Sequence, residues 1–125
     1  MLRPAPWLLL GGALALFACS HASPAGPSDA TPSCPNDLPT ACPAPPPSYK
    51  DDVAGILDAH CNGCHGPGGN AADKPLLTHA DAFRLRGPVL NQVYGCVMPP
   101  ATERPLTPEQ RQKLLAWLVC GAPND

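Results

Sequence analysis

The apolar positions of the chain fall into segments of different periodicity. Trp7 to Phe17 is a nearly continuous apolar run containing Leu8, Leu9, Leu10, Leu14 and Leu16, too short for an ordinary membrane-spanning helix. Residues 20–47 show no period at all. They hold nine of the nineteen prolines, with Ser, Ala and Thr and no Lys or Arg, and read as an extended, semi-rigid tether. From Asp51 to His60, Val53, Ile56, Leu57 and His60 recur at helical spacing, and Gly66-Pro67-Gly68-Gly69 breaks the pattern. Thr78-His79-Ala80-Asp81 carries a capping-box signature for a second helix, to which Phe83 and Leu85 belong. Pro88 can start a third, with Val89, Leu90 and Val93 on one side. Thr107, Pro108 and Gln110 form a second capping box. Leu114, Leu115, Trp117, Leu118 and Val119 give the last helix its apolar face, and Gly121 and Pro123 stop it. No segment alternates with the period of a strand, so the predicted fold class is all-α: a small helical domain over 48–125 preceded by a disordered linker.

Length and composition narrow the picture. A chain of 125 residues allows one domain at most, and a net charge of −2 gives no electrostatic footprint for nucleic acid. Aromatic residues make up only 5%, so a domain this small is poorly supplied for a core of side chains alone. Arg3 and the apolar run after it read as an export signal. Its end, Leu16-Phe17-Ala18-Cys19, resembles the lipobox of bacterial lipoproteins, which implies cleavage before Cys19 and lipidation of that cysteine. Cleavage after Ala22, releasing an unanchored protein, is the alternative. Ser20, rather than Asp, after the cysteine implies the outer membrane by the same resemblance. The expected division is signal 1–18, tether 19–47 and folded domain 48–125.

The strongest chemical signal is Cys61-Asn62-Gly63-Cys64-His65. Two thiols three residues apart followed at once by an imidazole form the attachment signature of c-type haem. One helical turn brings both sulfurs under the porphyrin vinyl groups, and His65 can then point at the iron. The sixth iron position falls to Met98, the only methionine besides the initiator, in Val97-Met98-Pro99-Pro100. A thioether is a soft neutral ligand that favours ferrous iron, and the prolines after it stiffen its loop. His60 is a rival ligand, more simply read as a solvated helix residue, and His79 is a rival for Met98. The glycine cluster 66–69 lacks both a preceding strand and a following Lys-Ser, so it is not a phosphate loop.

With Cys19 assigned to lipid and Cys61 and Cys64 to haem, four of the seven cysteines remain: Cys34, Cys42, Cys96 and Cys120. In an oxidising compartment they should pair, in one of three ways. Position favours Cys34–Cys42 within the tether and Cys96–Cys120 within the domain. The second pairing would close a 25-residue loop, contribute about 3–4 kcal/mol and anchor the Met98 loop.

From Tyr49 to Ala122 the chain resembles a small class I cytochrome c of bacterial type. An N-terminal helix, the Cys-x-x-Cys-His motif, a Met loop and a C-terminal helix occur in that order. Leu57 sits four positions before the first haem cysteine, where the family has a bulky apolar residue. The resemblance implies that Pro75, in Pro75-Leu76-Leu77, accepts the second ring N–H of His65 on its carbonyl. It also implies that Trp117 packs against the N-terminal helix. Two features depart from the family: Val53 stands where a glycine often marks the helix crossing, with Gly55 two positions away, and the His65-to-Met98 segment is short. The implied fold is a helical domain wrapped around one covalent haem c. The implied function is that of a mono-haem, His/Met-ligated electron carrier on the periplasmic face of a bacterial membrane, with transient redox partner proteins and no catalytic residue. The domain from Ser48 onward carries seven Lys/Arg and eight Asp/Glu, so strong charge steering toward those partners is not expected.

Two other classes compete. A haem enzyme or ligand sensor needs a vacatable sixth iron position and would bind carbon monoxide rapidly. A zinc or dithiol redox module needs a second close ligand pair or a βαβ setting, neither of which the sequence offers.

Overall fold

The computed structural model describes residues 33–125. The predicted export signal 1–18, Cys19 and the first part of the predicted tether lie outside the described residues. Among the described residues the regular structure is entirely helical, as the patterning predicts. Ser48 caps the first element: its hydroxyl accepts from the Asp51 amide at 3.2 Å, and its own amide donates to Asp52 Oδ2 at 2.9 Å. A π-helical turn, Tyr49–Val53, then runs into α1, Ala54–His60. The short α2 (Asn62–His65), α3 (His79–Arg84), α4 (Arg86–Tyr94) and α5 (Pro108–Val119) follow. Pro88 does not begin α4. It lies in the first turn, where its missing N–H would have had no intrahelical partner.

Both predicted capping boxes are present. Thr78 and Asp81 close the start of α3, and Thr107 and Gln110 that of α5, with Pro108 at its first position. At the other end of α5, Gly121 takes φ +84° and the Ala122 amide reaches back to the Trp117 carbonyl at 2.9 Å. That is a Schellman closure, in which a left-handed residue is required and glycine adopts it without steric cost.

The core is built where α5 crosses the π-helical turn and α4. Leu114, Leu115 and Trp117 of α5 are fully buried with Val53 and Leu57, and Leu76 and Val93 close the cluster. Trp117 lies 5.8 Å from the Tyr49 ring and donates its indole N–H to the Pro123 carbonyl at 2.9 Å, so a large aromatic is buried without an orphaned donor. The crossing uses no glycine: Val53 is wholly buried, while a Cβ on Gly55 would meet nothing. In α3 the buried residue is Ala82. Phe83 is exposed, and the Arg86 guanidinium lies over its ring at 4.1 Å.

The cysteines pair differently from expectation. The bonds are Cys34–Cys96 and Cys42–Cys120, with Cα separations of 5.7 and 5.0 Å; neither Cys34–Cys42 nor Cys96–Cys120 forms. The reason lies in residues 33–47, which are not a free tether. They form a strap fixed to the helices. Asp37 makes a two-pronged ion pair with Arg111 of α5, accepting from Nε and Nη2 at 2.8 Å each, and Gln112 Nε2 donates to the Asp37 carbonyl at 2.9 Å. The Tyr94 hydroxyl donates to the Asn36 side chain. Cys34 then lies over the end of α4, beside Cys96. The five residues beyond Asp37, bent at Thr40 and Ala41, can span at most roughly 17 Å. Nine helical residues from Arg111 to Cys120 span about 14 Å. Cys42 therefore arrives at Cys120. With Cys34 bonded at the end of α4 and Cys42 at that of α5, neither expected bond has a free partner.

Arg111 is the hub of this arrangement. Its side chain is only 11% exposed. Besides Asp37 it donates to the carbonyls of Val93 and Tyr94, the last residues of α4. The cation therefore sits at the negative end of a helix dipole with a carboxylate beside it. The guanidinium holds the Asp37 carboxyl below the usual carboxylate range, against an opposing push from burial. A second pair, Lys113 Nζ to Asp52 Oδ1 at 2.6 Å, ties α5 to the first turn.

Candidate functional site

The Cys-x-x-Cys-His motif sits at a bend between α1 and α2. The Cys61 amide donates to the Leu57 carbonyl at 2.9 Å, and the Cys61 carbonyl then accepts from both Cys64 (3.1 Å) and His65 (2.8 Å). One turn thus carries both thiols and the imidazole. The loop after it folds back onto the motif. The Ala71 amide donates to the Cys64 carbonyl at 3.0 Å, and a Cβ on Gly69 would collide with the backbone of Cys64, as one on Gly66 would with that of Asn62. The glycines let the chain lie directly on the motif backbone.

Cys61 and Cys64 are half-buried free thiols, whereas the other four cysteines of the described residues are paired. Burial, with a smaller contribution from Cys64, pushes the Cys61 thiol up to about 11. That is the opposite of what a nucleophilic redox dithiol requires. Among the described residues no three His, Cys, Asp or Glu side chains converge.

The His65 ring is oriented by a backbone carbonyl, one residue away from the predicted one. Nδ1 donates to the Lys74 carbonyl at 2.7 Å, and not to that of Pro75. Pro75 still contributes, because a following proline disfavours the helical region at Lys74 and so narrows where its carbonyl can point. Leu76, buried beside it, anchors the segment in the core. Because a carbonyl can only accept, Nδ1 carries the proton and Nε2 keeps its lone pair.

Two adjoining clefts of about 360 and 330 Å³ share Cys61, His65, Ala71, Val93 and Met98 as walls. Each is the size of a ligand pocket of about 300–1,000 Å³. Leu76, Leu85 and Val89 line one further, and Pro99, Pro100 and Leu106 the other. The crevice is mainly apolar, with the motif on one side and the Met98 loop at its edge.

The Met98 loop has supports that sequence reasoning missed. The Gln92 carbonyl of α4 accepts from Val97 at 2.9 Å and from Met98 at 3.1 Å, and the Cys96 amide donates to Val93 at 3.0 Å. Cys96 takes φ +55°, unusual for a residue with a side chain, and its sulfur is bonded to Cys34. A helix C-terminus always leaves carbonyls without partners, so the chain just past α4 was a legible place to look for such bonds. Only the fold shows which amides take them.

The two rival histidines are both occupied. His79 Nε2 bonds the Ala122 carbonyl at 2.9 Å, and the ring packs 5.1 Å from Tyr49 and 6.1 Å from Trp117, away from the crevice. It is a core-edge residue and does not stand in for Met98. His60 lines the crevice, but it is not simply solvated: its Nδ1 bonds the Arg104 carbonyl at 3.1 Å, fastening the chain that leads from Met98 to α5.

The crevice therefore offers two thiols free to form covalent bonds, one imidazole nitrogen with its lone pair, one thioether and apolar walls. No known protein family, curated protein or solved structure matches the chain.

Proposed function

We propose that this protein is a mono-haem c-type electron carrier, in which Cys61 and Cys64 would hold the haem through thioethers and His65 and Met98 would ligate its iron. The observation that carries the reading is chemical selection. Four of the described cysteines form disulfides, while the two of the motif stay as thiols on one turn, in an apolar crevice that also holds a histidine with Nε2 available and a methionine. These residues suit the group: thiols for its edge, nitrogen and sulfur for its iron, and apolar walls for its faces. A haem held there would supply one-electron redox chemistry. The residues themselves do the rest. The Lys74 carbonyl fixes the His65 ring in the tautomer that can act as a ligand. Leu76, Leu85, Val89 and Val93 keep water from one side of the crevice. The Gln92 carbonyl and Cys96 hold Met98 in place. The helices would then enclose the cofactor. The same proposal takes Cys19 as a lipid anchor, with the domain at the periplasmic face of a bacterial membrane and redox partner proteins docking transiently. No helix of the described residues is long and apolar enough to cross a membrane.

A second reading has one observation in its favour. Met98 is 38% exposed, in a loop instead of a helix, so a ligand at that position could be displaced. A haem sensor or enzyme would use the vacated position.

The test is to express the chain with a bacterial system for covalent haem attachment and measure its mass and spectrum. The expected result is one haem per chain, resistant to acid-acetone, lost in Cys61→Ser/Cys64→Ser and retained with an altered spectrum in Met98→Ala. A colourless product with the mass of the bare chain refutes the proposal. Rapid carbon monoxide binding by the native ferrous protein decides for the second reading over the first.

A further inference from the structure

We propose that the Cys34–Cys96 disulfide is a reducible clasp on the Met98 loop, which a dithiol reductant opens to free Met98 from the crevice. The inference deepens the reading of Met98 as an axial ligand and rests on it. The bond is positioned for the task. Both of its cysteines are exposed, whereas Cys120 of the other bond is half-buried, so an incoming thiolate reaches the first bond more easily. Cys96 is two residues from Met98 and sits at φ +55°. Opening the bond lets that residue leave the left-handed region, and the amides of Val97 and Met98 then turn away from Gln92.

The strap is built to survive the opening. The Asp37–Arg111 ion pair, the Tyr94–Asn36 hydrogen bond and the Cys42–Cys120 bond hold Cys34 near its partner, so reoxidation restores the closed state. The step balances as a thiol–disulfide exchange. One thiolate of the reductant attacks a sulfur of the bond to give a mixed disulfide. Its second thiol displaces the protein sulfur, and two electrons and two protons pass to Cys34 and Cys96 as the dithiol becomes a disulfide.

The test uses the matured full chain, titrated with dithiothreitol. Alkylation and peptide mass identify which bond opens, and hydrogen exchange reports on the loop. Cys34–Cys96 should open first. Exchange at Val97 and Met98 should then rise about tenfold or more while Leu114 to Leu118 stay protected. In the haem-loaded protein the ferric iron–sulfur absorption should fade together with that opening. A Cys34→Ser/Cys96→Ser variant should match the reduced protein without reductant. A Cys42→Ser/Cys120→Ser variant should leave exchange at Met98 unchanged. The clasp is overturned if Cys42–Cys120 opens first, if exchange at Val97 and Met98 does not move, if both double variants loosen Met98 equally, or if the absorption survives opening. Absence of haem would sink the functional reading by mass and colour, while the exchange measurement would still decide the clasp.

Discussion

Removing the carboxylate of Asp37 is the sharpest test of how strap, α4 and α5 are held together. The Arg111 side chain is 11% exposed and that of Asp37 24%. Both carboxylate oxygens are engaged, and the remaining guanidinium hydrogen bonds go to the carbonyls that end α4. Asp37→Ala leaves a buried cation facing only carbonyl dipoles. Breaking a buried pair from one side costs about 3–5 kcal/mol, and because water can reach the vacated position the lower end, about 3 kcal/mol, is expected. Asp37→Asn keeps the shape but not the charge and should cost about 2 kcal/mol. Adding Arg111→Met to Asp37→Ala should recover part of the loss, because the stranded charge goes too. The pH dependence has a fixed sign. Asp37 is held below its ordinary value, so its contribution is present above the unfolded value of about 4 and is lost as pH falls through the folded one. Asp37→Asn should lack that part of the acid limb. Urea denaturation followed by circular dichroism, with both disulfides closed, measures all four proteins. A loss below about 1 kcal/mol for Asp37→Ala at unchanged m-value would class the pair with exposed surface pairs and refute the clamp.

Other outcomes follow from the same geometry. Gly69→Ala should destabilise by about 1–3 kcal/mol, since its Cβ meets the Cys64 backbone. Gly55→Ala, in open space within α1, should stabilise by about 0.5–1 kcal/mol; thermal melts of the two variants should move in opposite directions. Removing Cys42–Cys120, which spans 78 positions of sequence, should cost about 4 kcal/mol in the chain-entropy account, read as a shift of the denaturation midpoint. Thr107→Ala should cost about 1 kcal/mol by leaving the Gln110 amide without its cap, visible in the same denaturation assay.

Much of this protein was legible in one dimension because the signals are local. Capping boxes at Thr78 and Thr107, the stop at Gly121 and the apolar face of α5 each depend on residues within a turn or two. Backbone hydrogen bonding forces those choices whatever the rest of the chain does. The motif at 61–65 is local in the same sense, since one helical turn suffices to bring its three side chains together. Cys61, His65 and Met98 line one crevice, and Cys61 and Cys64 are left out of the disulfides.

The cysteine pairing, the largest misassignment, was long-range. Cysteine pairing is set by where a proline-rich strap lies along α5, and that depends on Arg111 finding Asp37 across 74 positions. A prolines-and-serines composition describes stiffness, but it does not say what a stiff segment leans on. The carbonyl that orients His65 fell one residue from its expected place because a loop's exact path is decided by packing, here by burial of Leu76. His79 was a free imidazole in the sequence and became a bonded one only when the chain's last residues folded onto it. Sequence alone determined the helices and the chemistry carried on a single turn, because those rest on neighbours along the chain. The tertiary structure alone decided which distant groups meet, because a buried charge, an unpaired carbonyl or a thiol takes as partner whatever the packed fold brings within reach.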